Sequence, residues 1–263
     1  MNALRKYTAI TRINMQNAFA YRGQVVGSLL LYTLFIYVFF SLWKAIFRGG
    51  QVQSYTHAQV VWYLICTELI LMGARSNVVG QVNDDVKTGA LAYTLGRPLH
   101  YIAYQASSTL GGVLVNLTFF GGLALVLGMV FAGPIPSFAW WAMPVMLLSG
   151  LLGIALQFCF HMAIGLTAFH LEDNSGIYLI FQKFVFMLGA LLPVEILPQW
   201  MQGVARLLPF SYVAWAPARL TVAFSWQLFA QVVPLQVLWL AFALGLALLL
   251  YRSGTRSLQA NGG

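Results

Sequence analysis

Six long apolar runs divide the chain, with polar or proline-rich segments between them. They cover residues 25–47, 58–79, 101–131, 138–169, 176–192 and 229–251. A helix needs about 20 mostly apolar residues to cross a bilayer, so each run predicts a transmembrane helix. The third and fourth exceed one crossing and predict tilt or extension past the headgroups. Between 193 and 227 the chain is semi-apolar but interrupted by Pro193, Pro198, Pro209 and Pro217. Proline removes an amide donor and clashes with the preceding turn. That segment therefore predicts short helices dipping into the outer membrane face, their backbone buried in protein or lining a cavity.

Two polar-flanked segments carry a helical period without being long enough to cross. In the first, Leu4, Tyr7, Thr11, Met15, Ala18 and Phe19 fall on one side, and Arg5, Arg12 and Gln16 on an adjacent one. An amphipathic helix over 1–22 follows, its apolar face in the acyl boundary. It serves either as an anchor for the first crossing or as an elbow gating lateral access to a lipid-like substrate. The second segment follows the second run. Asn83 suits a helix N-cap, and Asp84 and Asp85 suit the positive end of its dipole. Val86, Ala90 and Tyr93 share a face, and Gly96 and Pro98 stop the helix. The pattern predicts a membrane-parallel helix over 83–97 with an apolar stripe. The stripe fits a docking surface for a soluble partner or an interfacial helix touching headgroups.

Composition sharpens this picture. Hydrophobic residues make up 60% of the chain and charged residues 8%, against roughly 25% charged in a soluble domain. Mean hydropathy is +0.78. The net charge of +8 comes from residues scattered at the ends of apolar runs, which argues against nucleic acid and for topology and anionic headgroups. With the N-terminus inside, cytoplasmic segments hold Arg5, Lys6, Arg12, Arg22, Lys87, Arg97, Arg252 and Arg256. External segments hold Lys44, Arg48, Arg206 and Arg219. Both termini are expected in the cytoplasm, as an even number of crossings requires. No cleavable signal peptide is expected. Cys66 and Cys159 lie inside apolar runs and read as small buried residues.

Few groups inside the runs are chemically active. Glu68 lies mid-span, where a charge costs about 2.5–3.5 kcal/mol to insert. Arg75, seven residues on, and Lys183 in the fifth run are its expected partners. A pathway role for Glu68 is the alternative. His161 and His170 are nine apart with no Cys or carboxylate at ligand spacing, so no metal site is expected. Glu172, Asp173 and Asn174 read as a solvated turn capping the fifth span. Glu195 either caps the short helix that follows it or meets substrate at the exit. Trp140, Trp141, Trp200, Trp215 and Trp226 suit a membrane interface. Gly111-Gly112 and Gly121-Gly122 allow close helix approach. The sequence has neither a catalytic constellation nor the G-x-x-x-x-G-K-[ST] loop that cradles ATP.

Three segments together resemble a family. They are Asn17-Ala18-Phe19-Ala20-Tyr21-Arg22 leading into the first span; Val86, Gly89, Leu91, Leu95, Arg97 and Pro98; and Gly189 to Trp200 followed by Leu208-Pro209-Phe210-Ser211-Tyr212. In this order they resemble membrane subunits of ABC-2 type exporters, in particular bacterial six-span permeases encoded beside an ATPase and a second permease. The resemblance covers nearly the whole chain. It implies an all-α integral membrane fold, a single permease domain over 1–263, with an interfacial elbow helix, a cytoplasmic coupling helix and external re-entrant helices over 193–226. It implies that Asp84, Asp85, Val86, Lys87, Gly89, Ala90, Leu91, Tyr93 and Leu95 couple to an ATP-binding-cassette ATPase. It makes Pro193, Glu195, Pro198, Pro209 and Phe210 an external gate. The partners implied are two ATPase copies holding ATP and Mg, a second permease of the same or a different chain, and lipids of the bacterial inner membrane. Neither ATP nor Mg would bind this chain. An ion-coupled secondary transporter or a non-transporting assembly subunit is the alternative. Glu68 is the one clear midplane group for the former, and no internal repeat supports it.

Overall fold

The apolar runs fold as helices, and their lengths separate those that can cross a membrane from one that is short. A computed structural model of the chain describes residues 3–20, 22–48, 55–91, 99–135, 138–171 and 173–261. In chain order the helices are α1 (Ala3–Ala20), α2 (Arg22–Arg48), α3 (His57–Gly73), α4 (Val78–Lys87) and α5 (Tyr101–Ala132). They continue with α6 (Met143–Leu166), α7 (Ser175–Val185), α8 (Gln199–Leu207), α9 (Phe210–Val222) and α10 (Trp226–Asn261). A π-helical turn, Phe186–Ala190, extends α7.

Among the described residues, five stretches are long and apolar enough to cross: Gly23–Arg48, His57–Lys87, Tyr101–Ala132, Trp140–Phe169 and Trp226–Arg256. The fifth predicted crossing is shorter. Ser175–Ala190 rises about 24 Å at 1.5 Å per residue, less than the ~30 Å hydrocarbon core. The uniform set of six expected from hydropathy is therefore five long spans and one short apolar helix. The π turn and the nearby Pro193 end it early.

Local chemistry sets the helix starts. Thr56 and Gln59 form a capping box at α3, with the Gln59 amide donating to the Thr56 hydroxyl at 3.3 Å and the Thr56 amide to the Gln59 side chain at 3.0 Å. Three of the four prolines break the 193–227 segment as expected: Pro193 precedes the 3-10 turn Val194–Ile196, Pro198 precedes α8, and Pro209 precedes α9. Pro217 does not, because it sits inside α9. The carbonyl it leaves without an intrahelical donor is that of Val213, which lies against the bare backbone of Gly153 on α6.

α3 and α9 form the centre. Nearly every residue of α9 is buried, enclosed by α3, α6, the π turn and α10. Gln236 of α10 donates to the carbonyls of Ser149 (3.1 Å) and Tyr212 (2.9 Å), and the Ser149 hydroxyl donates back at 2.8 Å. One side chain thus ties α6, α9 and α10 together without leaving a polar atom unpaired. α2 and α7 lie outermost, exposing Leu30, Leu34, Leu179 and Ile180, the surface expected against lipid.

α1 departs from the sequence reading. Tyr7, Thr11, Met15 and Ala18 turn toward α5 and not into lipid. Tyr7 accepts from the His100 amide at 3.2 Å, and the Thr11 hydroxyl donates to the Ser107 carbonyl at 3.0 Å. Gly111 permits this approach, since a Cβ there would strike the backbone of Thr11 and Met15. Gly121 and Gly122 meet no neighbour within 4 Å, so they do not serve packing among the described residues.

Candidate functional site

Polar chemistry collects at the two ends of the bundle. One end holds the short helices after α7. There Glu195, in the Val194–Ile196 turn, is the hub. Arg219 of α9 donates through Nε to its Oε1 at 3.0 Å. Tyr55, just before α3, donates to Oε2 at 2.7 Å, and Trp215 Nε1 donates to the same oxygen at 3.3 Å. The Arg219 guanidinium also lies 4.9 Å from the Tyr55 ring centroid, a cation–π contact. Burial, and then the Glu195 charge, raise the Tyr55 phenol above its ordinary 10.0, which keeps it a donor.

This corrects the expectation that Glu195 caps α8. α8 begins after Pro198 with no side-chain cap, and three donors from other segments claim the carboxylate instead. The Glu195 and Arg219 side chains are 24% and 22% exposed, so the pair is mostly desolvated and worth more than a surface pair, about 1–2 kcal/mol. Gln202 stiffens the turn by donating to the carbonyls of Glu195 (3.0 Å) and Leu197 (2.8 Å). Tyr63 of α3 donates to Gly189 O at 2.9 Å and Leu192 O at 3.2 Å, satisfying carbonyls where α7 unwinds. Phe210 stacks on Phe184 of α7 with centroids 5.1 Å apart. Trp215 is buried, at 4% exposure, in this hub and is not an interface residue. Trp140, Trp141, Trp200 and Trp226 are exposed. Sequence reasoning missed Tyr55, Trp215 and Arg219 as partners of Glu195, since they lie 140, 20 and 24 residues away from it.

The opposite end holds α4. This helix runs from Val78 to Lys87 and so starts earlier than the expected 83; Ala90 and Leu91 are helical again, and the remainder of the expected helix, 92–97, lies outside the described residues. Asn83 is therefore not its N-cap, and Asp84 and Asp85 sit in its last turns. Burial explains the shift: Val78, Val79 and Val82 are buried, and Val82 packs against Gly165 of α6. A carboxylate is unfavourable near a helix C-terminus. Asp85 offsets this by accepting from Tyr101 at 2.7 Å and Gln105 at 3.3 Å, both on α5. Gly89, at φ +73°, turns the chain in the left-handed region open to glycine.

Of the expected apolar stripe, Val86 is half-buried against the bundle and Ala90 is exposed, while Tyr93 lies outside the described residues. Leu91 is fully buried with Val82, Met162 and Leu166, and Val86 packs against the same cluster. What α4 exposes at its tip is Asp84, Lys87, Thr88, Gly89 and Ala90. Tyr93 and Leu95 lie outside the described residues.

Between the ends, Glu68 makes no direct ion pair with Arg75 or Lys183. Glu68 is 3% exposed, and the one ion pair among the described residues is Arg219–Glu195. α3 ends at Gly73, so the helical spacing that aligned Arg75 with Glu68 stops short of Arg75. Lys183 is exposed on α7. His161 is buried between the rings of Tyr178 and Phe181, at 5.3 and 5.6 Å. Among the described residues no three His, Cys, Asp or Glu side chains converge. At the start of α7, the Ser175 amide and hydroxyl donate to Asp173 at 2.9 and 2.7 Å and hold its carboxyl below the ordinary 3.8. Asn174 is buried, not solvated, and donates to the Ile164 carbonyl at the end of α6 (2.9 Å). Glu172 lies outside the described residues.

A multi-pass bundle of apolar helices, with short broken helices at one end and a polar tip at the other, is the architecture of an integral membrane protein. The family model described as "ABC-2 family transporter protein" matches residues 11–262, and the chain belongs to that family. A search of curated proteins gives no match.

Proposed function

We propose that this permease is the membrane subunit of an ATP-driven exporter of the bacterial inner membrane, with both termini cytoplasmic. It pairs with a second permease, and the pair docks two copies of a separate ATPase that holds ATP and Mg. The tip of α4 is the docking element, and the Glu195 hub closes the external end of the pathway. In this topology the short α7, together with α8 and α9, takes the place of the sixth crossing.

The observation that carries the reading is how α4 is built. Its apolar side is locked to the bundle through Val82, Leu91 and the Asp85–Tyr101–Gln105 bonds. Its free side offers Asp84, Lys87 and Thr88 to solvent. A segment bound tightly on one face and polar on the other transmits a push from a soluble partner into α5 and α6. ATP-driven closure of the ATPases then shifts the permease pair between inward-open and outward-open populations. The test is a single cysteine at Thr88 in native membranes. It is expected to cross-link to the ATPase encoded beside the gene. Absence of that cross-link, with a control cysteine on exposed α8 also silent, removes the docking role.

A further inference from the structure

At the α4 end of the bundle, α2, α3, α5 and α7 enclose a cavity of about 650 Å³. Gln24 and Ser28 of α2, Asn77 after α3, Asn116 of α5 and Gln182 of α7 line it with amides and a hydroxyl. Arg75 is the only charged side chain lining it among the described residues, and no ion pair among them involves Arg75. A cationic fork surrounded by neutral donors, with no acid in the wall, selects an anion with several acceptor oxygens.

The depth of the cavity identifies where that anion comes from. Gln24 and Ser28 lie in the first two turns of α2, Arg75 to Asn77 follow the end of α3, and Tyr178 and Gln182 lie in the first turns of α7. Asn116 is about 24 Å along α5 from Ala132, close to the thickness of a hydrocarbon core. The polar walls therefore gather toward the α4 end of the bundle, at headgroup level, while Leu31 and Phe120 carry the apolar lining deeper along α2 and α5. Leu31 lines the cavity yet is 61% exposed, so its apolar side continues onto the lipid-facing surface of α2. Ala18 of α1 borders the same opening.

We infer that this cavity binds the phosphate-bearing headgroup of an anionic lipid, held by Arg75 with its acyl chains lying along α2. The inference needs only that the chain sits in a membrane, and it is independent of any ATPase.

The experiment follows thermal unfolding of the purified chain in neutral detergent while phosphatidylglycerol, phosphatidylcholine or inorganic phosphate is added. Phosphatidylglycerol is expected to protect at concentrations about tenfold lower than phosphatidylcholine. Arg75→Gln should abolish that preference, while Arg252→Gln, an exposed arginine at the same end, should keep it. Protection by inorganic phosphate alone, lost in Arg75→Gln, assigns the same anion site to a soluble source. If Arg75→Gln does not fold, Asn116→Leu keeps the cation but replaces an amide of the wall with an apolar group, and it should weaken the preference likewise. Equal preference in wild type and in whichever variant folds overturns the inference.

Discussion

The two ends of this bundle are held by different chemistry. At the α8–α9 end, one carboxylate gathers three donors from two separate segments, and side chains satisfy carbonyls where the backbone unwinds. At the α4 end, a ring of fully buried aliphatic side chains does most of the holding, and Asp85 adds a single polar tie. The difference follows from what each end must bury. Broken helices expose backbone groups that lipid cannot satisfy, so that end needs polar side chains. An intact helix such as α4 has its own backbone bonds and needs only an apolar face. Polar clamps of the first kind fix one geometry. An apolar seat of the second kind leaves the opposite face free for another molecule.

Substitutions separate the two ends in order of expected effect. The largest should come from the seat of α9 itself. In Gly153→Val a side chain meets the Val213 carbonyl, and overpacking of about 2–3 kcal/mol should lower the yield of monodisperse protein sharply. Next is the clamp. Arg219→Ala leaves Glu195 with two neutral donors and should lose about 1–2 kcal/mol. Limited proteolysis should then open the 193–209 segment while α4 stays protected. Asp85→Asn should lose about 1 kcal/mol and expose α4 with the 193–209 segment unchanged, the mirror image of Arg219→Ala. Gly89→Ala places a Cβ at positive φ and should cost about 1 kcal/mol, read as a small drop in unfolding temperature. Lys183→Gln, on an exposed stretch of α7, should stay within about 0.5 kcal/mol of wild type. A large loss there would mean that the Lys183 side chain meets a partner surface.

The crossings and the broken 193–227 segment were legible because hydropathy and proline act locally. The partners of Glu195 were not. Nothing near Glu195 points to Tyr55 or Arg219, and only the packing of α9 into the core brings them together. The register of α4 was misread for a related reason. Asn83, Asp84 and Asp85 have the local signature of a helix start, but Val78, Val79 and Val82 bury against α6 and begin the helix a turn and more earlier. Tyr101 then makes an acid tolerable near the wrong end of the dipole. One available signal was overlooked: Thr56 and Gln59 have capping-box spacing directly ahead of an apolar run. Glu68 and Arg75 form no direct ion pair among the described residues, and α3 ends between them.

The central claim is that the α4 end receives the ATPase while the Glu195 end closes the pathway. Its most direct test compares two variants of the assembled complex for ATPase retention on purification and for transport in proteoliposomes. Asp84→Lys combined with Lys87→Glu reverses the exposed charges at the tip without touching Asp85, and is expected to shed the ATPase. Glu195→Gln is expected to keep the ATPase bound while transport falls. Retention of the ATPase by the tip variant, or its loss in the Glu195 variant, would contradict the account.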